Sequence, residues 1–166
     1  MFYFDIPELS LDSETRENFI MDTKSGLLEQ LHEEPFLFYG SDDREYFSEY
    51  YNMFTIEPTC IYILQVSQGW DVAPHIDADY EQARNTTCII PLYPEGDEYM
   101  PCDFVDRSGE MIESIGWKEH GFMMTTRKLH RVISNKYDRL NLQITFRESI
   151  KELYELYKED KLIRKQ

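Results

Sequence analysis

Positive charge is scarce in this chain of 166 residues: 17 Lys and Arg stand against 32 Asp and Glu, a formal charge of −15. So acidic a surface offers no broad footprint for a phosphate backbone, and nucleic acid is disfavoured as a partner. The late basic residues Lys158, Lys161, Arg164 and Lys165 are interrupted by Glu159 and Asp160 and read as a solvated helix end. Cysteine is equally sparse. Cys60, Cys88 and Cys102 make an odd count without CxxC spacing, which supports neither a zinc ribbon nor a disulfide framework. Cys60 and Cys88 sit in apolar, strand-like runs, where a free thiol acts as a small hydrophobe. No apolar run approaches the roughly 20 residues of a membrane helix. The N-terminal MFYFDIPELSLDSE has no basic n-region, so the expectation is a cytoplasmic protein without a membrane partner.

What is present argues for a folded domain. The chain is 42% hydrophobic and carries 12 Tyr and 10 Phe, enough to close a core within a single domain over 1–166. Its first third, 1–58, reads as helical support. Asp12 and Ser13 can cap a helix running to about Glu33, with Phe19, Ile20, Leu27, Leu28 and Leu31 on its apolar side and Gly26 as a weak point. A second helix is expected from Ser41, where Asp42 and Glu45 have capping-box spacing; Phe47, Tyr50, Tyr51 and Phe54 then form a packing stripe.

After Pro58 the period shortens to that of strands. Eight runs are expected: Thr59–Ser67, Trp70–Asp77, Arg84–Tyr93, Pro101–Asp106, Met111–Ile115, Gly121–Thr125, Leu129–Ser134 and Arg139–Arg147. Eight short strands without intervening helices suggest a sandwich or barrel, with the jelly roll as the eight-stranded option over 59–147. A C-terminal helix closes the chain over 148–166, apolar at Ile150, Leu153, Tyr154 and Tyr157. Trp70 and Trp117, each beside a glycine near a strand end, are expected to seal the barrel.

Pro74-His75-Ile76-Asp77 is the chemically informative segment. Residues two apart on a strand share a face, so His75 and Asp77 project together. An imidazole and a carboxylate so placed are two legs of the 2-His-1-carboxylate triad that suits non-haem Fe(II). Alone, such a pair is common without any metal. A third ligand narrows the choice: His32 reads as a solvent-exposed helix residue, His120 as a turn residue, and His130 as the histidine inside an apolar strand. In the last strand Leu140, Leu142, Ile144 and Phe146 share one parity and Arg139, Asn141, Gln143 and Thr145 the other. The apolar parity should pack against the helices and the polar one line a cavity, since buried polar groups demand partners. A hairpin pairing His130 with Arg139 or Asn141 would bring both side chains into that cavity, where a guanidinium suits bidentate capture of a carboxylate.

His75-x-Asp77, then His130, then Arg139 nine residues on, resembles the Fe(II)- and 2-oxoglutarate-dependent dioxygenases, particularly their prolyl-4-hydroxylase-like branch, over Thr59 to about Arg147. The resemblance implies a double-stranded β-helix (a cupin-like jelly roll) with Fe(II) held by His75, Asp77 and His130. It places the distal carboxylate of 2-oxoglutarate on Arg139, with Arg147 as a competitor for that role. O2 is the second co-substrate, and the reaction implied is C–H hydroxylation with release of succinate and CO2. Gln65 stands where the branch often has a tyrosine and is implied at the keto-acid end of the cofactor; Arg84 faces either substrate or a surface ion pair. The substrate class implied is a small molecule, peptide, protein or amino acid, met by Asp79–Arg84, Pro94–Met100 and the N-terminal helices. Two other readings remain open at the level of sequence: a cupin-like metalloenzyme that does not use 2-oxoglutarate, and a non-catalytic jelly-roll binding module.

Overall fold

In a computed structural model, residues 1–41, 44–77, 84–95, 101–132 and 136–165 are described. The N-terminal third is where local signals and tertiary structure part. Helix α1 (Ser13–Ser25) starts as expected, Asp12 accepting from the Thr15 backbone N–H at 2.7 Å. It ends at Gly26, whose φ of 79° is the left-handed conformation that terminates helices. The helix therefore does not run to Glu33. Strands β1 (Tyr3–Ile6), β2 (Glu29–Leu31) and β3 (Phe36–Gly40) make 1–58 part of the sheet as well as its support. In β3 the alternation is that of a strand: Leu37 and Tyr39 are buried in the core and Phe36 and Phe38 turn to the other face.

Helix α2 (Ser48–Met53) begins later than Ser41 and has no side-chain cap; the expected cap Asp42 lies outside the described residues. Its aromatic stripe packs, with Phe47, Tyr50 and Phe54 all buried. The eight later strands fall within the runs read from the sequence. They are β4 (Cys60–Val66), β5 (Val72–His75), β6 (Thr86–Tyr93), β7 (Cys102–Val105), β8 (Met111–Ile115), β9 (Gly121–Thr125), β10 (His130–Val132) and β11 (Arg139–Phe146). Helix α3 (Ile150–Lys158) opens with a reciprocal capping box between Ser149 and Glu152. Among the described residues no helix is long and apolar enough to cross a membrane.

Two antiparallel sheets form a jelly roll. The larger has the order β1-β9-β6-β11-β4-β3-β2 and the smaller β5-β10-β7-β8. The outer face of the large sheet, with Leu140, Leu142, Ile144 and Phe146, packs against Phe19, Phe54 and Leu153 from the three helices and their flanks. Removing one such ring, Phe146→Ala for instance, typically costs about 3–5 kcal/mol. Between the sheets the filling is uneven. Ile89, Cys102, Phe104, Ile115, Phe122 and Met124 close the end under β7, β8 and β9, while the end under β4, β5, β10 and β11 is hollow. Cys60 does not behave as a buried hydrophobe, because it opens β4 at an exposed position; Cys88 and Cys102 are buried and free.

Candidate active site

The hollow end is a cavity of about 670 Å³. β5 and β10 are neighbours in the small sheet and set His75 directly opposite His130. Their rings lie 4.4 Å apart between centroids. Asp77 sits two residues beyond His75, just past the end of β5, and its carboxylate reaches both imidazoles. Oδ1 is 3.2 Å from His75 Nε2 and Oδ2 is 3.4 Å from His130 Nε2. One ligand atom from each of the three residues lies within 4.8 Å of the others, so the cluster can hold a metal ion.

The backbone orients these ligands. His75 Nδ1 lies 2.8 Å from the Ala73 carbonyl oxygen and His130 Nδ1 lies 2.9 Å from that of Lys128. With Nδ1 donating to a carbonyl two residues back, each ring directs Nε2 at the shared space, as in histidines whose outer partner fixes the tautomer. Arg84 Nη2 completes the cluster 3.1 Å from Asp77 Oδ2. Of the two roles read for Arg84, the structure shows an ion pair, made to a candidate metal ligand on the cavity wall rather than on the outer surface. Burial pushes the Asp77 carboxyl up, but hydrogen bonds from His130 and His75 and the charge of Arg84 outweigh it and hold it well below the ordinary carboxylate range. The hydrogen bond to Asp77 raises the His75 imidazole above its usual value, against the opposing effect of burial.

Across the cavity stands the polar parity of β11. Arg139, Asn141 and Gln143 are each at most 6% exposed and all line the space. No described carboxylate pairs with Arg139. Its guanidinium lies 4.4 Å over the ring of Trp117, whose indole N–H donates to the Pro94 carbonyl at 2.8 Å. Burial lowers Arg139 to about 10, so it remains a cation at neutral pH. Arg139 Nη1, Asn141 Oδ1 and the nearby Thr87 Oγ1 are buried without a hydrogen-bond partner among the described residues. Native interiors rarely leave such groups unpaired, and three on one cavity wall mark a place for a polar ligand; the Arg139 guanidinium and the Thr87 hydroxyl can donate to an anion, whereas the Asn141 oxygen accepts and calls for a donor.

Several sequence expectations change here. His130 and Arg139 do share the cavity, but not through a hairpin: β10 lies in the small sheet and β11 in the large one, so they face each other across the gap. Gln65 does not reach the site. It lies on the parity of Ile61 and Ile63, which pack toward the helices, and accepts from the Tyr39 hydroxyl at 3.4 Å. The tyrosine on the cavity side of β4 is Tyr62, which donates to Gln143 Oε1 at 2.8 Å and was legible only through strand parity. Arg147 is exposed, outside the cavity. His32 is exposed as expected, but it stands on the β2–β3 turn with a φ of 67° rather than on a helix. Trp117 is buried as expected, whereas Trp70 is 51% exposed and lines the cavity. Of the segments expected at the mouth, 79–83 and 96–100 lie outside the described residues.

No family model matches the chain, and the search of curated proteins finds no match. Solved structures are similar in fold. A prolyl-4-hydroxylase from Pseudomonas putida superposes with a TM-score of 0.59 at 10% identity, covering 89% of this chain and 93% of that one. A prolyl hydroxylase from Trichoplax adhaerens, in complex with a hypoxia inducible factor oxygen degradation domain peptide fragment, gives 0.59 at 13% identity, covering 87% and 83%. HygX from Streptomyces hygroscopicus, with nickel, 2-oxoglutarate and hygromycin B bound, gives 0.56 at 11% identity, covering 86% and 81%. The shared feature is the jelly roll.

Proposed function

We propose that this chain is a non-haem Fe(II)- and 2-oxoglutarate-dependent oxygenase of the prolyl-4-hydroxylase-like branch. It hydroxylates a C–H bond in a peptide, protein or amino-acid-like substrate. The observation that carries the reading is Arg139: a buried guanidinium without a carboxylate, on the cavity wall facing His75, Asp77 and His130. The donor set fits iron, since two imidazoles and one carboxylate leave coordination positions open. Fe(II) with 2-oxoglutarate and O2 supplies the oxidation of an unactivated C–H bond, yielding the alcohol, succinate and CO2.

The chain's own residues supply binding and orientation. His75, Asp77 and His130 would hold the metal, with Nδ1 of each imidazole tied to the backbone. Arg84 holds one oxygen of Asp77 and keeps the carboxylate ionised and aimed. Arg139 pairs with the far carboxylate of the co-substrate, and Asn141 and Thr87 offer further polar atoms on the same wall. Tyr62 fixes the Gln143 amide from behind. Phe38, Leu64, Val66 and Met124 exclude water from the remainder of the space.

A cupin-like enzyme without 2-oxoglutarate gives Arg139 no task, and a binding module gives the metal-ligand triad none. The test is anaerobic titration with Fe(II) and 2-oxoglutarate, followed by succinate release in air. One metal equivalent, saturable 2-oxoglutarate binding and succinate formation are expected. Metal binding without 2-oxoglutarate binding would assign the cupin-like chemistry, and no metal binding the non-catalytic module.

A further inference from the structure

The mouth of the cavity has a composition that the oxygenase reading does not use. Two turns form its lip, one between β2 and β3 and one between β4 and β5, joined where the Ser67 N–H donates to the Pro35 carbonyl at 3.0 Å. The second turn is pinned again where Asp138 accepts from the Gln68 N–H at 2.9 Å. Apolar surface faces inward from both: Phe36 and Phe38 from β3, set opposite Val66 and Leu64 of β4, and the half-exposed Trp70. His32 stacks edge-on against Phe38 at 5.2 Å and narrows the opening.

Charge at this lip has one dominant sign. Glu33 and Asp71 are exposed and line the opening; Glu34 and Asp138 stand on the same turns and the neighbouring one. Among the described residues lining the cavity there is no lysine, and the arginines are Arg84 and Arg139. Deeper in, both positive groups already have work: Arg84 holds Asp77, and Arg139 faces the co-substrate wall. A substrate arriving at this mouth meets carboxylates on separate turns around an aromatic-walled hole, on a chain of net charge −15. Such a field concentrates cations and repels anions, and the aromatic faces add to the attraction for a positive group.

Resting on the oxygenase reading, we propose that the substrate is a basic peptide segment. An apolar side chain enters between Phe36, Phe38 and Trp70 toward His75 and Asp77, while neighbouring Lys or Arg residues stay outside and pair with Glu33 and Asp71. Carboxylates on separate turns suit a peptide with charges on more than one residue better than a small amine with a single charge.

The test uses the full chain, loaded with Mn(II) and 2-oxoglutarate without oxygen, and short synthetic peptides with an apolar centre. One pool has Lys or Arg flanks, a second Glu or Asp flanks, and a third neutral flanks; simple alkylamines are run alongside. Binding is read from tryptophan fluorescence, with Trp70→Phe to assign the signal to the lip. The basic pool should bind about tenfold more tightly than the neutral one, the compound effect of two or three exposed ion pairs. That margin should collapse near 1 M salt, where the screening length is about 3 Å. Glu33→Gln with Asp71→Asn should level the three pools without changing 2-oxoglutarate affinity. Equal or tighter binding of the acidic or neutral pool overturns the proposal, as does binding of alkylamines without peptides. Mn(II) and 2-oxoglutarate binding are scored in the same samples. Their loss with a retained basic preference removes the oxygenase reading and leaves the lip, and the reverse removes only the lip.

Discussion

Replacing Arg139 separates a residue kept for a ligand from one kept for the fold. The guanidinium is 4% exposed, no described carboxylate pairs with it, and burial lowers its pKa from the ordinary guanidinium range to about 10. At about 1.36 kcal/mol per unit, the folded protein bears a cost of about 3 kcal/mol for keeping this charge inside. Stacking on Trp117 offsets roughly 2 kcal/mol of it. Arg139→Met, which keeps the apolar volume and removes the charge, should therefore leave thermal stability unchanged or raise it by about 1 kcal/mol. Binding should move the other way. Without the guanidinium the far carboxylate of 2-oxoglutarate is buried unpaired, a loss of about 3–5 kcal/mol, or roughly two to four orders of magnitude in Kd. Arg139→Lys should recover part of this, since an ammonium lacks the planar fork. Metal binding should survive in both variants, because Arg139 is not among the candidate ligands. Calorimetric titration of 2-oxoglutarate into Mn(II)-loaded protein without oxygen measures the affinity, and a melting scan with and without co-substrate measures the stability. At 100 times Kd the wild type should gain about 2.7 kcal/mol from the ligand and Arg139→Met almost none. A variant that melts well below wild type yet binds 2-oxoglutarate normally would refute the reasoning, because Arg139 would then be a structural residue.

His75→Ala should abolish stoichiometric Fe(II) or Mn(II) binding while the far-ultraviolet spectrum stays native; one equivalent bound at unchanged affinity would remove His75 from the ligand set. Trp117→Leu takes away the ring beneath Arg139 and should weaken 2-oxoglutarate about 5- to 30-fold, the equivalent of roughly 1–2 kcal/mol, with metal affinity unmoved. Metal affinity should also depend on pH with a definite sign. Because the hydrogen bond with Asp77 raises the His75 imidazole above its usual value, protons compete with the metal from a higher pH than they would at a free imidazole, and affinity should fall as pH is lowered; an apparent midpoint below that of a free imidazole, by metal titration across pH, would contradict the Asp77–His75 contact. Gly121→Ala should lower the melting temperature without affecting the site, since an added Cβ would stand 2.7 Å from Leu9 Cβ.

The parts of this molecule that were legible in its residues are those governed by one strand or one turn at a time. Alternation in β11 separated Leu140, Leu142, Ile144 and Phe146 from Arg139, Asn141 and Gln143, and the structure puts the first set against the helices and the second on the cavity. Two-residue spacing put His75 and Asp77 together, and the burial of His130 inside an apolar strand singled it out. What could not be read was which strand lies beside which. A period of two tells which face a side chain takes and nothing about its partner strand. The expected β10–β11 hairpin and the observed arrangement, with those strands in opposite sheets, therefore bring His130 and Arg139 into the same space by different routes. Gln65 fails for the complementary reason. It was placed by the resemblance, at a position where the branch often has a tyrosine, whereas the parity of β4 points Tyr62, Leu64 and Val66 inward and sends Gln65 to the helical side. The missed strands β2 and β3 follow one local event, the left-handed turn at Gly26, after which Leu28 packs into the core from the turn and Leu31 ends the edge strand β2. Parity within a strand is thus a safer guide to this cavity than spacing between strands. Arg139 is the residue on which it bears most, because its parity places it in the cavity whichever strand β11 pairs with.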